Sequence, residues 1–295
     1  MITADPGYLA EEIKKVITGF VEKSPRNYCW QLGERYFDQP LVGFARGDDP
    51  VFDIIKEQVG PKSMTPCDAM TNSLQSRGFT GQIKPGEVSV VSWVLPISRA
   101  VREKNRLQKT EPAAEWAYTR YFGEELNNDL RRRVVGWFES RGHLAAAPML
   151  LPGFSIIKND PARRGFTSTW SERHTAYACG LGTFSLNDAL ITERGIAHRL
   201  GSVVVMTALP EAVRPYRGHM DYCLSARGCG GCIKRCPMGA ISDSGHDKVA
   251  CSKMTYESEA AAERRKRFGV EKTGCGLCQV GVPCEDRIPK GAVKG

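Results

Sequence analysis

The feature that most constrains this chain is a concentration of cysteines in its last third. Eight of the eleven cysteines lie between Cys223 and Cys284. A chain of 295 residues can bury a hydrophobic core without covalent staples, whereas disulfide-dense scaffolds are usually short secreted domains. Clustered cysteines in a reduced protein usually bind metal. The concentration therefore predicts a metal module rather than a disulfide framework.

The spacing of these cysteines favours iron–sulfur clusters. The stretch "CGGCIKRCP" keeps the central Cys-x2-Cys and the Cys-Pro of the two-cluster ferredoxin run, in which the fourth cysteine binds the other cluster. The first ligand of that run is displaced upstream to Cys223, and "CGLCQVGVPC" supplies a second pair. The glycines between the cysteines allow the loop to turn tightly around a cluster.

The eight thiols divide into two interleaved sets of four. One 4Fe-4S cluster is predicted on Cys223, Cys229, Cys232 and Cys284, and the other on Cys236, Cys251, Cys275 and Cys278. Two zinc knuckles are the alternative, because Cys-x2-Cys pairs also suit tetrahedral zinc. The Cys-Pro step and the total of eight thiols favour the two clusters.

Charge and hydropathy bear on the partners of the chain. The net charge is +8, and from Glu211 onward fifteen Lys and Arg against ten Asp and Glu contribute +5. Thiolate-bound clusters carry negative charge that would offset most of this excess. The run "RRKR" suits phosphate, although a solvated helix face is the favoured interpretation. Because no stretch approaches ~18 apolar residues and no secretory or twin-arginine signal is seen, we expect a cytoplasmic protein with no membrane partner.

Composition divides the chain into three regions of an α+β protein: an N-terminal cap at 1–85, a core at 86–210 and a metal module at 211–295. The core runs from a nearly continuous apolar strand, "EVSVVSWVLP", through a long helix to a strand in "GSVVVMTALP". The order of strand, helix and strand predicts a layered α/β core. The buried stripe of the helix is predicted at Phe122, Leu126, Leu130, Val134 and Phe138.

The stretch "AYACGLGTFSLNDALITERGIAHRLGSVV", followed by a double cluster module, resembles the superfamily of epoxyqueuosine reductases and reductive dehalogenases. The resemblance spans roughly residues 85 to 290. It implies a nitroreductase-like α/β cobalamin-binding core followed by a ferredoxin-like module with two 4Fe-4S clusters. It also implies base-off cobalamin, and the Asp-x-His-x-x-Gly motif of proteins that ligate cobalt through histidine is indeed absent from the sequence.

The resemblance implies a set of cobalamin-binding residues along the glycine-rich loop and the strand after it. They are Gly180, Leu181, Gly182, Thr183, Phe184, Ser185, Leu186, Asn187, Thr192, Arg199, Gly201 and Ser202. Glycine allows backbone to approach a large flat ring closely. The alternative is a glycine-rich turn that only packs a helix on the sheet.

A reductive step also needs an acid beside the cobalt. Epoxyqueuosine reductases carry an aspartate in a Gly-Arg-Asp-Tyr-His-like segment, whereas the matching stretch here is "EPAAEWAYTRYFGEEL" and contains no Asp-Tyr-His. Glu115, Tyr118 and Tyr121 are the predicted replacements. The alternative is that both tyrosines are ordinary aromatic residues of a helix.

These observations together predict a cobalamin- and iron–sulfur-dependent reductase. An external donor such as ferredoxin or flavodoxin is expected to supply the electrons. A small-molecule substrate is favoured over tRNA, because the chain stops eleven residues after Cys284, whereas epoxyqueuosine reductases usually carry a C-terminal extension. The alternative is a ferredoxin-type electron-transfer protein that binds a partner protein and no cobalamin.

Overall fold

The computed structural model describes residues 5–160 and 165–293. Its helices are α1 (Pro6–Lys23), α2 (Val51–Val59), α3 (Pro66–Gln75), α4 (Arg99–Arg106), α5 (Ala114–Glu139), α6 (Glu172–Ala178), α7 (Gly231–Arg235), α8 (Lys248–Ser252) and α9 (Glu259–Phe268). Its strands are β1 (Leu41–Arg46), β2 (Ser89–Pro96), β3 (Ala145–Ala146), β4 (Ile156–Asp160), β5 (Gly165–Ser168), β6 (Gly182–Phe184), β7 (Leu190–Thr192), β8 (His198–Val205), β9 (Ile241–Ser242) and β10 (Gly245–His246). This mixture of helix and sheet agrees with the predicted fold class.

Four strands of the described chain form the central sheet in the order β1–β2–β8–β3, and each neighbouring pair is antiparallel. β1 pairs with β2 along its whole length, from Leu41 opposite Val94 to Arg46 opposite Ser89. The predicted cap and core regions therefore contribute strands to one sheet, and the boundary expected near residue 85 falls between two paired strands.

β2 is buried along its whole length. Val91, Trp93 and Leu95 belong to the part of the core that contains the buried faces of α1 and α5. Val90 belongs to the part that contains buried residues of α2 and α3. A strand covered by helices on both faces needs apolar side chains at successive positions, which explains the nearly continuous apolar run in the sequence.

α5 packs on the sheet through the stripe expected from its four-residue spacing. Leu126, Leu130, Val134 and Phe138 are buried, and Phe122 is half-buried against the same core. A polar link fixes the register between helix and sheet. The indole Nε1 of Trp93 donates to Asn127 Oδ1 at 2.8 Å, and Asn127 Nδ2 donates to the carbonyl oxygen of Leu200 at 2.8 Å.

The cysteine-rich segment after residue 211 has little regular strand, as the sequence predicts, and is tied to the core by a buried carboxylate. Glu285 accepts from Arg102 Nη1 at 3.0 Å and from Arg106 Nη2 at 2.5 Å, both on α4. The backbone N–H of Gly281 donates to the same carboxylate at 2.7 Å. Glu285 immediately follows Cys284, so this ion pair holds the last predicted cluster ligand against the core.

The basic run at 264–267 lies on α9 and is only partly solvated. Arg264 is buried and donates to the carbonyl oxygen of Met254 at 3.0 Å. Arg267 pairs with Glu111 at 2.5 Å. Arg265 Nη1 donates to the carbonyl oxygen of Tyr256 at 2.8 Å, so three of the four cations are engaged within the chain. As for membranes, the helices of the described ranges include none with both the length and the apolar character to cross a bilayer.

Candidate metal and cofactor site

The eight cysteines of the C-terminal segment line two cavities, four around each. Cys223, Cys229, Cys232 and Cys284 line a small cavity, and we call them the first cysteine group. Cys236, Cys251, Cys275 and Cys278 line a large cavity, and we call them the second cysteine group. The groups cross along the chain, and they are the same sets that the spacing suggested. Which metal either group binds stays a prediction.

The thiols of each group are buried close enough to raise one another's pKa. Burial and then the neighbouring Cys223 and Cys229 raise the pKa of Cys232 to about 11. Burial and then three first-group thiols raise the pKa of Cys284 to about 12. In the second group, burial and then Cys251 and Cys236 raise the pKa of Cys275 to about 11. Four adjacent thiolates are therefore unfavourable unless a cationic centre compensates them, which fits a metal-binding donor set.

The donor atoms bear on the kind of metal group that fits. Each cysteine group offers four thiols, which are the ligands of 4Fe-4S clusters and also of tetrahedral zinc. Throughout the described ranges, no three or more His, Cys, Asp and Glu side chains are arranged to hold one metal ion. The donor chemistry therefore fits both the predicted clusters and the zinc alternative.

Glycines shape the loops that carry the cysteines. Gly228 has φ 83° and ends the turn Ser225–Arg227, so that the N–H of Cys229 returns to the carbonyl oxygen of Leu224 at 3.1 Å. Gly276, between Cys275 and Cys278, has φ 64°, and a β-carbon there would collide with the ring of Trp116. Both positions require the left-handed conformation that glycine adopts at little cost.

The large cavity has a volume of about 460 Å³ and lies between α5, the sheet and the second cysteine group. Aromatic residues Trp116, Phe154 and Trp170 line part of its wall. A cavity of this size, mostly apolar with a few converging polar groups, is typical of a small-molecule or cofactor site.

Charged residues form a connected network on the wall of the large cavity. Arg131 is buried, and its Nη1 donates to Glu124 at 2.9 Å while its Nη2 donates to Glu172 at 2.9 Å. Arg199 contacts the other carboxylate oxygen of Glu124. With Arg120 and Arg173 the wall carries four arginines against these two glutamates. The wall thus has a positive excess that suits an anionic or amide-bearing ligand.

Unpartnered polar atoms concentrate at this cavity. Seven buried side-chain nitrogen or oxygen atoms of the described residues lack a hydrogen-bond partner, and four of them belong to residues that line the large cavity. These four are Arg131 Nε, His198 Nδ1, Arg199 Nε and Thr255 Oγ1. Buried polar atoms are normally paired, so the cavity fits a ligand that both donates and accepts hydrogen bonds.

His198 shows what such a ligand has to offer. Its Nε2 donates to the carbonyl oxygen of Leu190 at 2.7 Å, which leaves Nδ1 as an acceptor. Burial lowers the pKa of His198 to about 4, so the ring is neutral at physiological pH. An N–H group of a bound molecule would satisfy Nδ1. The amide groups around a corrin ring are of this kind.

The predicted cobalamin-binding residues separate into two sets. Ser185, Leu186 and Asn187 line the small cavity, and Asn187 and Arg199 line the large one. The other eight predicted residues line neither cavity. They are Gly180, Leu181, Gly182, Thr183, Phe184, Thr192, Gly201 and Ser202.

Contacts within the protein account for several residues of the second set. A β-carbon at Gly182 would collide with the carbonyl oxygen of Ile191. A β-carbon at Gly201 would lie 2.5 Å from the indole ring of Trp93. Trp93 lies opposite Gly201 on the neighbouring strand, so the glycine makes room for that ring. Ser202 Oγ donates to Glu172 at 2.6 Å. These contacts fit the packing role that was the alternative, and a cofactor contact at these three positions stays a prediction.

The predicted acids lie away from the large cavity. Tyr118 is stacked on Trp30, with ring centroids 6.4 Å apart, and Tyr121 meets Phe122 edge to face at 5.2 Å. Neither these tyrosines nor Glu115 is among the residues that line the cavity. A role for these three as proton donors stays a prediction, and it would require access from another face of α5.

Sequence reasoning missed the residues of α5 that do line the cavity. Trp116, Arg120, Glu124 and Arg131 form one face of the helix, at intervals of four, four and seven residues. The first three come from the same stretch as the predicted acids, which were selected by chemical type alone. Helical periodicity was the available signal, but it could not say which polar face meets the cavity. Tyr256, another lining residue, carried no sequence signal.

No protein-family model and no curated protein sequence matches this chain. Solved structures do match. Epoxyqueuosine reductase from Bacillus subtilis superposes with a TM-score of 0.52 at 16% identity, over 97% of this chain and 66% of that one. The catabolic reductive dehalogenase NpRdhA superposes with a TM-score of 0.53 at 18% identity, over 97% of this chain and 33% of the dehalogenase.

A further match is epoxyqueuosine reductase with an epoxyqueuosine-modified tRNA-Tyr stem loop, with a TM-score of 0.52 at 17% identity, over 98% of this chain and 67% of that one. The chain thus spans about two thirds of the length of the epoxyqueuosine reductases and one third of the dehalogenase. The resemblance expected from the sequence is confirmed as a likeness of fold.

Proposed function

We propose that this protein is a reductase that uses two 4Fe-4S clusters and base-off cobalamin to reduce a small organic molecule or a modified nucleoside. The observation that carries the proposal is that the second cysteine group and four unpartnered polar atoms share one large cavity. The likeness of fold to an epoxyqueuosine reductase and a reductive dehalogenase supports it. In this proposal residues 86–210 are a nitroreductase-like core and 211–295 a ferredoxin-like module.

When bound, the clusters supply single electrons and the cobalamin supplies the metal centre for the reduction. The two cysteine groups hold the clusters. In the large cavity, the Nε–H groups of Arg131 and Arg199 donate to the cofactor, and His198 Nδ1 accepts from it. Asn187 steadies the second cysteine group, because its Nδ2 donates to the carbonyl oxygen of Cys278 at 3.1 Å.

The proton for the reduction is assigned to Tyr256. The acidic and imidazole side chains on the cavity wall, Glu124, Glu172, His198 and His246, are each ion-paired or hydrogen-bonded within the chain. Tyr256 lines the same cavity, and its hydroxyl makes no hydrogen bond to any described residue. It is therefore free to donate a proton to a substrate.

A ferredoxin or flavodoxin is the proposed electron donor, in the cytoplasm, where the thiols stay reduced. A small molecule is the favoured substrate over tRNA. The volume of the large cavity, about 460 Å³, supports this preference because it lies within the range for small-molecule sites. Three of the four cations of the basic run are engaged within the chain, which leaves fewer to contact phosphate.

The test is anaerobic reconstitution with iron, sulfide and cobalamin, followed by gel filtration and absorption spectroscopy. We expect a broad cluster band and retained corrinoid. Arg199→Met should retain cobalamin about tenfold less well, because a charge-assisted hydrogen bond contributes about 1.5 kcal/mol or more. Arg132→Met is the matched control, since Arg132 lies on the exposed side of α5 and pairs only with Asp129.

Two outcomes would contradict the proposal. A cluster band with no retained corrinoid would leave the ferredoxin-type electron carrier as the better description. If the protein contains zinc in place of iron, both the proposed reductase and the ferredoxin-type electron carrier are excluded. Equal corrinoid retention by Arg199→Met and the wild type would remove Arg199 from the cofactor site.

A further inference from the structure

Three segments of the chain meet beside the first cysteine group. Arg235, at the end of α7, donates to the carbonyl oxygen of Val280 at 3.0 Å and to that of Asn105, near the end of α4, at 3.3 Å. A β-carbon on Gly281 would lie 3.5 Å from both Arg106 Cγ and Arg235 Nε. The end of α4, helix α7 and the last segment of the described chain are therefore in contact with one another.

Two of these segments also carry walls of the small cavity. Cys232 lies on α7, and Pro283 and Pro289 belong to the last segment. Arg227, two residues before Cys229, donates to the carbonyl oxygen of Gly291. The loop of Cys229 is thus tied to the same region, so the first cysteine group lies where all these segments meet.

The charge of this region is strongly positive. Residues 99–107, 223–237 and 281–293 contain nine Lys and Arg against three Asp and Glu, an excess of +6. Each of the three acids is paired with an arginine of the same segments: Glu103, Glu285 and Asp286. A cluster on the first cysteine group would carry about −2 and leave an excess of about +4.

Seven of the nine cations are exposed. Arg99 and Arg287 each pair with a neighbouring acid. The other five are called the basic face, and they are Lys104, Arg106, Arg227, Lys234 and Lys290. Its three lysines form no ion pair with any residue that the structure describes, and its Arg227 hydrogen-bonds to a carbonyl oxygen instead of a carboxylate. Most of the charge of the basic face is therefore available to a partner.

Exposed apolar groups adjoin the basic face. Leu107 is 76% exposed directly after Arg106, and Pro283 is exposed beside the small cavity. Protein interfaces combine an apolar centre with a polar rim, and weak electron-transfer encounters bury the smallest areas. The face thus has the mixture of groups that a transient protein partner requires.

The composition of the same segments favours protein over nucleic acid as the partner. Residues 99–107, 223–237 and 281–293 contain no aromatic residue. Proteins that bind single-stranded nucleic acid stack its bases on aromatic side chains within a basic groove. A basic face without aromatic residues fits an acidic protein surface better.

We propose that the basic face is the docking surface of an acidic one-electron carrier protein, which reduces the cluster of the first cysteine group. This inference rests on the proposed function, because it needs a cluster in that group. One electron passes from the reduced centre of the carrier to the cluster, so the carrier is oxidised and the cluster reduced by one electron, and no bond forms or breaks. The second cysteine group opens onto the large cavity. Electrons thus enter beside the first group and leave through the second.

The test is stopped-flow spectroscopy of the reconstituted protein with reduced flavodoxin, an acidic one-electron carrier. We expect the second-order rate constant for bleaching of the cluster band to fall as the ionic strength rises, because salt screens the attraction between exposed charges. In Lys104→Glu/Lys234→Glu the rate constant at low salt should fall about tenfold or more, since electrostatic steering changes association rates by about 10- to 10³-fold.

Lys23→Glu/Lys62→Glu is the matched control. It makes the same change of charge at two exposed lysines outside the three segments, so the rate constant should stay close to that of the wild type. A photogenerated deazaflavin radical, a small neutral reductant, should reduce the clusters of all three proteins at the same rate, which shows that the clusters are intact. Calorimetric titration with oxidised flavodoxin should give weaker binding only for Lys104→Glu/Lys234→Glu.

Three outcomes would overturn the inference. One is a rate constant that is the same in the two double variants. Another is a wild-type rate constant that does not depend on salt, or no reduction by flavodoxin where deazaflavin succeeds. The third is a single-stranded RNA oligonucleotide that binds the wild type but not Lys104→Glu/Lys234→Glu while flavodoxin reduces both equally, which would assign the face to nucleic acid.

The remaining outcomes separate this inference from the proposed function. If the wild type incorporates no iron, the proposed function fails and the inference fails with it. If both clusters form without retained corrinoid, the proposed reductase fails, and the rate constants still decide the docking surface because delivery of an electron to a cluster does not involve cobalamin. If Lys104→Glu/Lys234→Glu loses iron, Lys234→Gln and Lys290→Gln decide, since a lowered rate constant supports the docking surface and a wild-type rate constant contradicts it.

Discussion

Individual side chains divide between cavity and core in ways that residue type does not reveal. Tyr118 and Tyr256 carry the same phenol, yet Tyr118 stacks on Trp30 whereas Tyr256 lines the large cavity. His198 commits one ring nitrogen to a backbone carbonyl oxygen and leaves the other for a ligand. The chemistry available to each group follows from which of its atoms remain unpaired.

The assignment of Tyr256 as proton donor makes a prediction for turnover. Tyr256→Phe removes the hydroxyl and keeps the ring, so we expect kcat to fall by about 10²-fold or more with cofactor content unchanged. Tyr118→Phe and Tyr121→Phe are controls of the same chemistry and should stay near wild type. A normal rate for Tyr256→Phe together with a large loss for Tyr118→Phe would reverse the assignment.

Two buried histidines predict acid sensitivity. Burial lowers the pKa of both His174 and His198 to about 4, whereas in the unfolded chain both titrate near 6.5. The unfolded state therefore binds more protons below pH 6.5, and the free energy of unfolding should fall as the pH drops from 6.5 to 4, by about 3 kcal/mol for each histidine. Denaturant titrations should show a flatter pH profile for the variant His174→Gln/His198→Gln. An equally steep profile would contradict the prediction.

At the scale of elements, α5 and β8 each serve the core on one side and the cavity on another. α5 buries Leu126, Leu130 and Val134 against the sheet and turns Trp116 and Arg120 toward the cavity. β8 begins at the cavity and continues into the core. The packing of this helix on this strand therefore sets the position of the cavity wall.

That packing depends on Gly201. A β-carbon there would press on the ring of Trp93, so we expect Gly201→Ala to lower the free energy of unfolding by about 1–3 kcal/mol. Gly136→Ala is the contrasting control. Gly136 lies exposed within α5 with open space around it, and alanine there should raise the free energy of unfolding by about 0.5–1 kcal/mol. Chemical denaturation measures both, and a stabilised Gly201→Ala would show that Trp93 moves aside freely.

Across the whole molecule, polar links that are partly or fully buried hold the cysteine-rich segment against the core. Glu285 joins the segment to α4, and Asp188 joins the loop after β6 to β10 and α8. These links adjoin the cysteine groups, so the arrangement of the predicted clusters depends on contacts made outside the cysteine motifs themselves.

The link at Glu285 should be important for stability. Glu285→Gln removes the buried counter-charge of Arg102 and leaves it only the more exposed Asp286, and breaking a buried pair typically costs about 3–5 kcal/mol. We expect a loss of this order in the free energy of unfolding. Asp286→Asn, which removes a more exposed partner of the same arginine, should cost much less. Similar losses in the two variants would show that burial of the carboxylate is not what matters.

The sequence by itself determined what depends on local spacing. The positions of the cysteines divided them into two sets, because their spacing follows the two-cluster ferredoxin run in which one ligand crosses to the other cluster. The apolar pattern located α5 and β2. Only the tertiary structure decided which face of α5 meets the cavity, that Gly201 makes room for the ring of Trp93, and that Asp188 reaches His246. These depend on residues far apart in the chain, and their mutual positions follow from the packing of helices on the sheet.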